Sequence, residues 1–127
     1  MRVLITGATG FLGRYVVAAA VRHGHQVTAL ARPSRKIEPG FFPADVAIVR
    51  GDVRDAALLP AALANIDAVI HLAAQVVGDD DSQFASTVVG TENLLKAMAD
   101  SEVRKLVHCS TFSSYAWEQQ GAELTEH

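Results

Sequence analysis

The chain has 127 residues, half of them apolar and a fifth charged, with a formal net charge of −3. That balance fits one soluble globular domain with a real core, and gives no reason to expect nucleic acid or an anionic membrane as partner. The longest apolar run, "YVVAAAV", is far too short to cross a bilayer, and strand-like sequence begins at residue 2, where a secretory leader would have to lie.

Apolar strand-like runs alternate with helical patterns along the chain. "RVLIT" (2–6) is short and rich in β-branched residues. "FLGRYVVAAAVRHG" puts Phe11, Leu12, Val16, Val17, Ala20 and Val21 on one helical face, with Gly24 as the stop. "QVTALA" (26–31) predicts a second strand, "ARPSRKIEPGFFP" a connection broken by Pro and Gly, and "VAIVR" (46–50) a third strand. "DAALLPAALANI" predicts a short helix disturbed at Pro60, with Asp55 as candidate cap. "DAVIHLAA" (67–74) is a fourth strand running into small residues. "DDDSQ" reads as a hydrated polar loop without metal-ligand spacing, and "FASTVVGTENLLKAMADSE" as the longest helix. "KLVHCST" (105–111) is a fifth strand, after which "WEQQGAELTEH" shows no clear period. Cys109 is the only cysteine, so no internal disulfide can form and a reducing, cytoplasmic setting is expected.

Strands alternating with helices imply right-handed crossovers and a parallel sheet covered on both faces. Nearly continuous apolar strands agree with burial in such a sheet. The expected architecture is α/β, a doubly wound sheet in the order 3-2-1-4-5. Its ligand crevice would open between the carboxyl ends of strands 1 and 4.

"TGATGFLG" falls at that crevice, with Gly7, Gly10 and Gly13 three residues apart. A phosphate-binding turn explains the spacing, and so does a tight turn with no ligand. The position between a strand and a helix favours a dinucleotide. Gly7 would relieve the sharp turn, Gly10 would let backbone amides approach a pyrophosphate, and Gly13 would let the helix sit close to the sheet. The helix N-terminus adds donors and a partial positive charge.

The same stretch resembles the TGxxGxxG form of the extended short-chain dehydrogenase/reductase family, which includes NAD(P)-dependent sugar epimerases, dehydratases and reductases. The resemblance continues through "GDVRD" (51–55), "AVIHLAA" (68–74), "VVGTENLLKA" (88–97) and "VRKLVHCSTFSSYA" (103–116), in family order and spacing. It covers essentially the whole chain. It implies that residues 1–127 form a Rossmann-type NAD(P)-binding domain, with hydride chemistry on a hydroxyl or carbonyl carbon. By resemblance, the dinucleotide rests on Gly7, Thr9, Gly10, Phe11 and Leu12, and on Leu72, Ala73 and Ala74 after the fourth strand.

Other matching positions carry two readings each. NAD users usually place an acidic residue after strand 2, whereas "ALARPSRK" places Arg32 there, with Arg35 and Lys36 beyond. A guanidinium suits a 2′-phosphate, so NADP is expected over NAD; a solvated basic loop is the alternative. Asp52 would accept from the adenine amino group while Val53 packs on the ring, or Asp52 would merely cap a turn, as Asp55 could. His71 invites a general-base role, but a packed strand-end histidine is the stronger expectation. Thr87 stands where the family pattern carries asparagine, which weakens the usual polar link from this helix to the active site. Asn93 matches the second asparagine of that pattern, where a structural hydrogen bond is expected.

"CSTFSSYA" carries the catalytic resemblance. The family's hydroxyl residue maps to Thr111, which would hydrogen-bond the substrate oxygen and polarise it. Ser110 and Ser113 are rivals, and local hydrogen bonding at the strand end is the alternative for all three. Tyr115 is not the catalytic tyrosine. The family's proton donor lies in a Tyr-x-x-x-Lys pair, whereas here Tyr15 is followed four residues on by Ala19 and Tyr115 by Gln119.

Three expectations follow. First comes the N-terminal portion of a longer epimerase, dehydratase or reductase, with a nucleotide sugar as candidate substrate. Next is a non-catalytic NAD(P)-binding redox sensor, and last a degenerate scaffold fragment. Apolar area beside strands 4 and 5 would favour a homodimer of the isolated chain. No metal is expected.

Overall fold

The computed structural model describes residues 1–111; Ser113, Tyr115, Gln119 and the aperiodic stretch lie outside the described residues. The apolar runs form β1 (Arg2–Thr6), β2 (Gln26–Ala31), β3 (Ala47–Arg50), β4 (Ala68–His71) and β5 (Lys105–His108). Between them lie α1 (Phe11–Arg22), α2 (Leu59–Ala62), α3 (Asp80–Phe84), a π-helical turn (Ala85–Val89) and α4 (Gly90–Ala99). Every strand pairing is parallel and the order is β3-β2-β1-β4-β5, as the alternating pattern predicts. The register sets Thr6 opposite His71 and His71 opposite His108. Three polar side chains thereby meet at the carboxyl ends of β1, β4 and β5.

Two core layers follow from the period-two alternation along β1. Leu4 packs with Leu30, Leu59, Val69, Leu94 and Met98, on the side of α2 and α4. Val3 and Ile5 pack with Val17, Ala20, Val27 and Ala29, on the side of α1. Leu4 and Ile5 are completely buried, and burying a side chain of that size contributes roughly 1.5–3 kcal/mol. The central strands are therefore the anchor of the sheet. The outer strands depart from the expectation of uniform burial. Ile48 on β3 and Val107 on β5 are exposed, because an edge strand has a neighbour on one side only.

Phe11 and Leu12 are exposed; the buried positions of α1 are Gly13, Val17 and Ala20, with Val16 and Val21 packed at the margin. Pro60 opens α2 instead of disturbing it, since the first turn needs no proline N–H. Asp55 does not cap that helix; its carboxylate accepts the Ala57 N–H at 3.2 Å in a preceding turn. "DDDSQ" is not a loop. Asp79 caps α3 by accepting the Ser82 N–H at 2.8 Å, and Asp80 and Asp81 complement the positive end of the helix. Among the described residues, no helix is long and apolar enough to cross a membrane, and no His, Cys, Asp and Glu cluster could hold a metal ion.

Candidate functional site

The turn after β1 is built by two glycines that packing demands and a third that it demands far less. Gly7 sits at φ +67°, a left-handed conformation, and its carbonyl accepts the Gly10 N–H at 2.9 Å. A Cβ on Gly7 would lie 2.6 Å from the Leu72 backbone, and one on Gly13 would lie 2.1 Å from the Gly7 oxygen. No side chain fits at either place. Among the described residues, a Cβ at Gly10 would meet only the Gly7 oxygen, at 3.2 Å, yet Gly10 lines the cleft beside the turn. Gly10 is also the N-cap of α1, with no side-chain cap and no acidic residue in the first turn. The first amides of α1 and the positive end of its dipole are thus left for an anion.

The cleft measures about 630 Å3, within the range of small-molecule sites. Gly7, Thr9, Gly10, Phe11, Arg32, Asp52, Val53, Leu72, Ala73 and Ala74 all line it; Leu12 does not. Thr111 is exposed just past β5 and is likewise not in the lining. Arg35 joins Arg32 there, and Gln75, Val76, Val77 and Ser86 add a wall that the sequence reading missed. Ser86 Oγ donates to Gln75 Oε1 at 3.1 Å, and the Gln75 N–H donates to Thr87 Oγ1 at 3.2 Å. Residues 85–89 carry the π turn, a local distortion that often accompanies functional sites.

Asp52 is an ionised acceptor. Arg54 grips its carboxylate at 3.0 and 2.7 Å and adds its backbone N–H at 3.0 Å. The Arg54 hydrogen bond, with the charges of Arg54 and Arg32 behind it, holds the Asp52 carboxyl below its ordinary range. In the sequence the pair shows only as opposite charges two residues apart. Asn93 Nδ2 donates to the Val53 and Arg54 carbonyls at 3.3 and 3.1 Å, the structural role expected of it. A Cβ on Gly90 would come within 2.6 Å of Val53 Cγ2. Together, Asn93 and Gly90 seat Val53 at the cleft.

His71 is packed, not poised as a base. It is 1% exposed, and burial, helped by the nearby His108, pushes its pKa down to about 4. Its tautomer follows from its partners. The Thr91 hydroxyl spends its hydrogen on the Thr87 carbonyl, so at 3.0 Å it must accept from His71 Nε2–H. His71 Nδ1 is then bare and accepts from Thr6 Oγ1 at 2.6 Å. Thr6 Oγ1 in turn accepts the Ala73 N–H at 3.3 Å. A directed chain of hydrogen bonds runs from the cleft wall at Ala73 through two strands to the helix at Thr87.

The NAD-dependent epimerase/dehydratase family matches residues 3–127 by its sequence model. The chain belongs to that family. Among its relatives, UDP-glucose 4-epimerase of Halalkalibacterium halodurans is 36% identical over 124 residues, covering 91% of this chain and 36% of the relative. The 2-alkyl-3-oxoalkanoate reductase of Stenotrophomonas maltophilia is 35% identical, covering 87% of this chain and 33% of the relative. The crystal structure of Thermus thermophilus UDP-glucose 4-epimerase, complexed with NAD, superposes with a TM-score of 0.74 at 32% identity, over 84% of this chain and 36% of that one. The chain therefore spans about a third of the length of these relatives. The Thr87 hydroxyl, at the position singled out in the sequence, accepts the Gln75 N–H and so joins its helical turn to the cleft wall.

Proposed function

We propose that residues 1–127 form the dinucleotide-binding portion of an epimerase, dehydratase or reductase that moves hydride at a hydroxyl or carbonyl carbon. The observation that carries this is Gly10. It lacks a side chain where packing requires little of it, at the uncapped start of α1, in the wall of the cleft. Bare amides there fit a pyrophosphate. The family relationship and a relative solved with NAD support the nicotinamide nucleotide as ligand.

The residues divide the work along the cleft. The Gly7–Gly10 turn and Thr9 hold the diphosphate, and Leu72, Ala73 and Ala74 leave room for the ribose beside it. Asp52 accepts from the adenine amino group with its ionised carboxylate, and Val53 presents an apolar wall to the ring. Arg32 and Arg35, where an NAD user carries a carboxylate, favour the 2′-phosphate of NADP. When bound, the nicotinamide supplies or takes the hydride. Thr111 hydrogen-bonds the substrate oxygen. A nucleotide sugar is the substrate class favoured by the epimerase relatives.

Fluorescence titration of the full-length protein with NADPH and NADH tests the binding. Saturation at micromolar concentration with NADPH preferred is the expected result. Absence of binding by both nucleotides would overturn the whole reading. Tight binding in a full-length protein that reduces or epimerises no nucleotide sugar or carbonyl substrate would leave a binding module and remove the catalytic part.

A further inference from the structure

Arg32, Pro33, Ser34 and Arg35 leave β2 in a tight turn, closed by the Arg35 N–H donating to the Arg32 carbonyl at 3.0 Å. Proline in the second position fixes φ for such a turn. Both arginines line the cleft. Among the described residues neither forms an ion pair, whereas Lys36 is matched to Glu38 and Arg54 to Asp52. A turn that presents two guanidiniums to the cleft needs a group that fixes its backbone. That group comes from the neighbouring strand. Arg50, the last residue of β3, donates from Nη1 to the Arg35 carbonyl at 2.6 Å and reaches the Arg32 carbonyl at 3.5 Å. Next to it the Gly51 N–H donates to the Ala31 carbonyl at 3.0 Å, so the turn is pinned where it leaves the sheet. Arg50 does not itself line the cleft.

We infer that Arg50 is a specificity-determining positioning residue. By clamping both carbonyls of the turn it sets the Arg32 and Arg35 guanidiniums to converge on one phosphomonoester, the 2′-phosphate of NADP. This rests on the NADP reading given above. A doubly charged phosphate is gripped best by guanidiniums already in place, because its oxygens need several N–H donors at fixed angles. NAD presents a neutral ribose hydroxyl at the same point and gains little from the clamp. The third positive charge of Arg50, behind the turn, adds to the same preference.

The test measures NADPH and NADH dissociation constants for the full-length wild type and for Arg32→Ala, Arg50→Ala and Arg50→Gln. The second Arg50 variant is read if the first does not fold. Loss of the clamp is expected to weaken NADPH by about tenfold or more and NADH by less than about twofold. If the wild type and Arg32→Ala both bind the two nucleotides equally, the NADP reading fails and this inference with it. If Arg32→Ala abolishes a wild-type preference that the Arg50 variant keeps, the reading stands and the role of Arg50 is overturned. An equal loss of both nucleotides on changing Arg50 also overturns it, because that is the mark of a merely structural residue.

Discussion

His71 Nδ1 and Thr6 Oγ1 lie 2.6 Å apart although 65 positions separate them in the chain. The parallel register of β1 and β4 sets them opposite each other, and Thr91 closes the other side of the ring. A proton added at Nδ1 would confront Thr6 with a second donor. Burial, helped by the nearby His108, keeps the imidazole neutral in the fold, with a pKa of about 4 against an ordinary 6.5.

That difference makes stability depend on acidity in a defined window. The unfolded chain takes up the proton near pH 6.5 and the folded one near 4, so the unfolded state binds more protons in between. The His71 contribution is full above pH 6.5, falls as the pH drops toward 4, and changes no further below; its loss is up to about 3 kcal/mol. Urea unfolding between pH 7.5 and 4 measures it. His71→Gln should be less stable by about 1–3 kcal/mol at pH 7 and should lose the His71 share of the slope. An identical slope in the variant would assign the pH dependence to other groups.

Gly10 and Gly13 should respond in opposite ways to a side chain. Gly10→Val fills cleft space and blocks the approach of a phosphate, so dinucleotide binding should fall by more than about a hundredfold. Far-UV circular dichroism and Tm should change far less than for Gly13, because among the described residues only the Gly7 oxygen lies near a Cβ there, at 3.2 Å. Gly13→Ala puts a Cβ 2.1 Å from that oxygen, which forces α1 away from the sheet. It should unfold well below the wild type, by about 1–3 kcal/mol or more. A Gly10→Val protein that still binds NADPH at wild-type strength would place the diphosphate elsewhere.

Arg32→Asp reverses the charge that faces the adenosine ribose. A carboxylate accepts from ribose hydroxyls and repels a 2′-phosphate, so the ratio of NADPH to NADH affinity should fall by about tenfold or more. Direct titration with each nucleotide reads that ratio. An unchanged preference would remove Arg32 from cofactor selection.

The sheet was readable because each buried strand is a short apolar run, and β-α-β connections allow few topologies. Gly7, Gly10 and Gly13 were visible as a set, but their roles were not. Equal spacing says nothing about which Cβ would strike a neighbouring backbone. Thr6, His71 and Thr91 form one network only because register and packing unite three distant segments, which no local pattern encodes. Arg50 was hidden for the same reason, its partners lying in the turn after the adjacent strand, 15 and 18 positions away. Asp79 was misread as part of a hydrated run, since adjacent carboxylates look alike until one of them accepts a backbone N–H. Phe11 and Leu12 fit the helical period, yet the start of α1 stands at the cleft and not over the sheet.

Asn93 offers a separate check on how the adenosine side is held. Its amide supplies both N–H bonds to the Val53 and Arg54 carbonyls, and Val53 is buried while Asp52 and Arg54 are its chain neighbours. Asn93→Leu keeps the size of the side chain and removes both donors. The Val53 carbonyl, half-buried, is then left without that partner, and the Arg54 carbonyl turns to water. The expected cost is about 1–2 kcal/mol in chemical denaturation. Because Val53 and Asp52 would also lose their fixed position, NADPH affinity should fall a further few-fold under conditions where the variant is folded. Asn93→Asp offers acceptors in place of donors to two carbonyls and should be worse on both measures. If Asn93→Leu lowers stability but leaves NADPH affinity untouched, the segment 52–54 is held by Gly90 and the core alone, and Asn93 has no part in shaping the cleft.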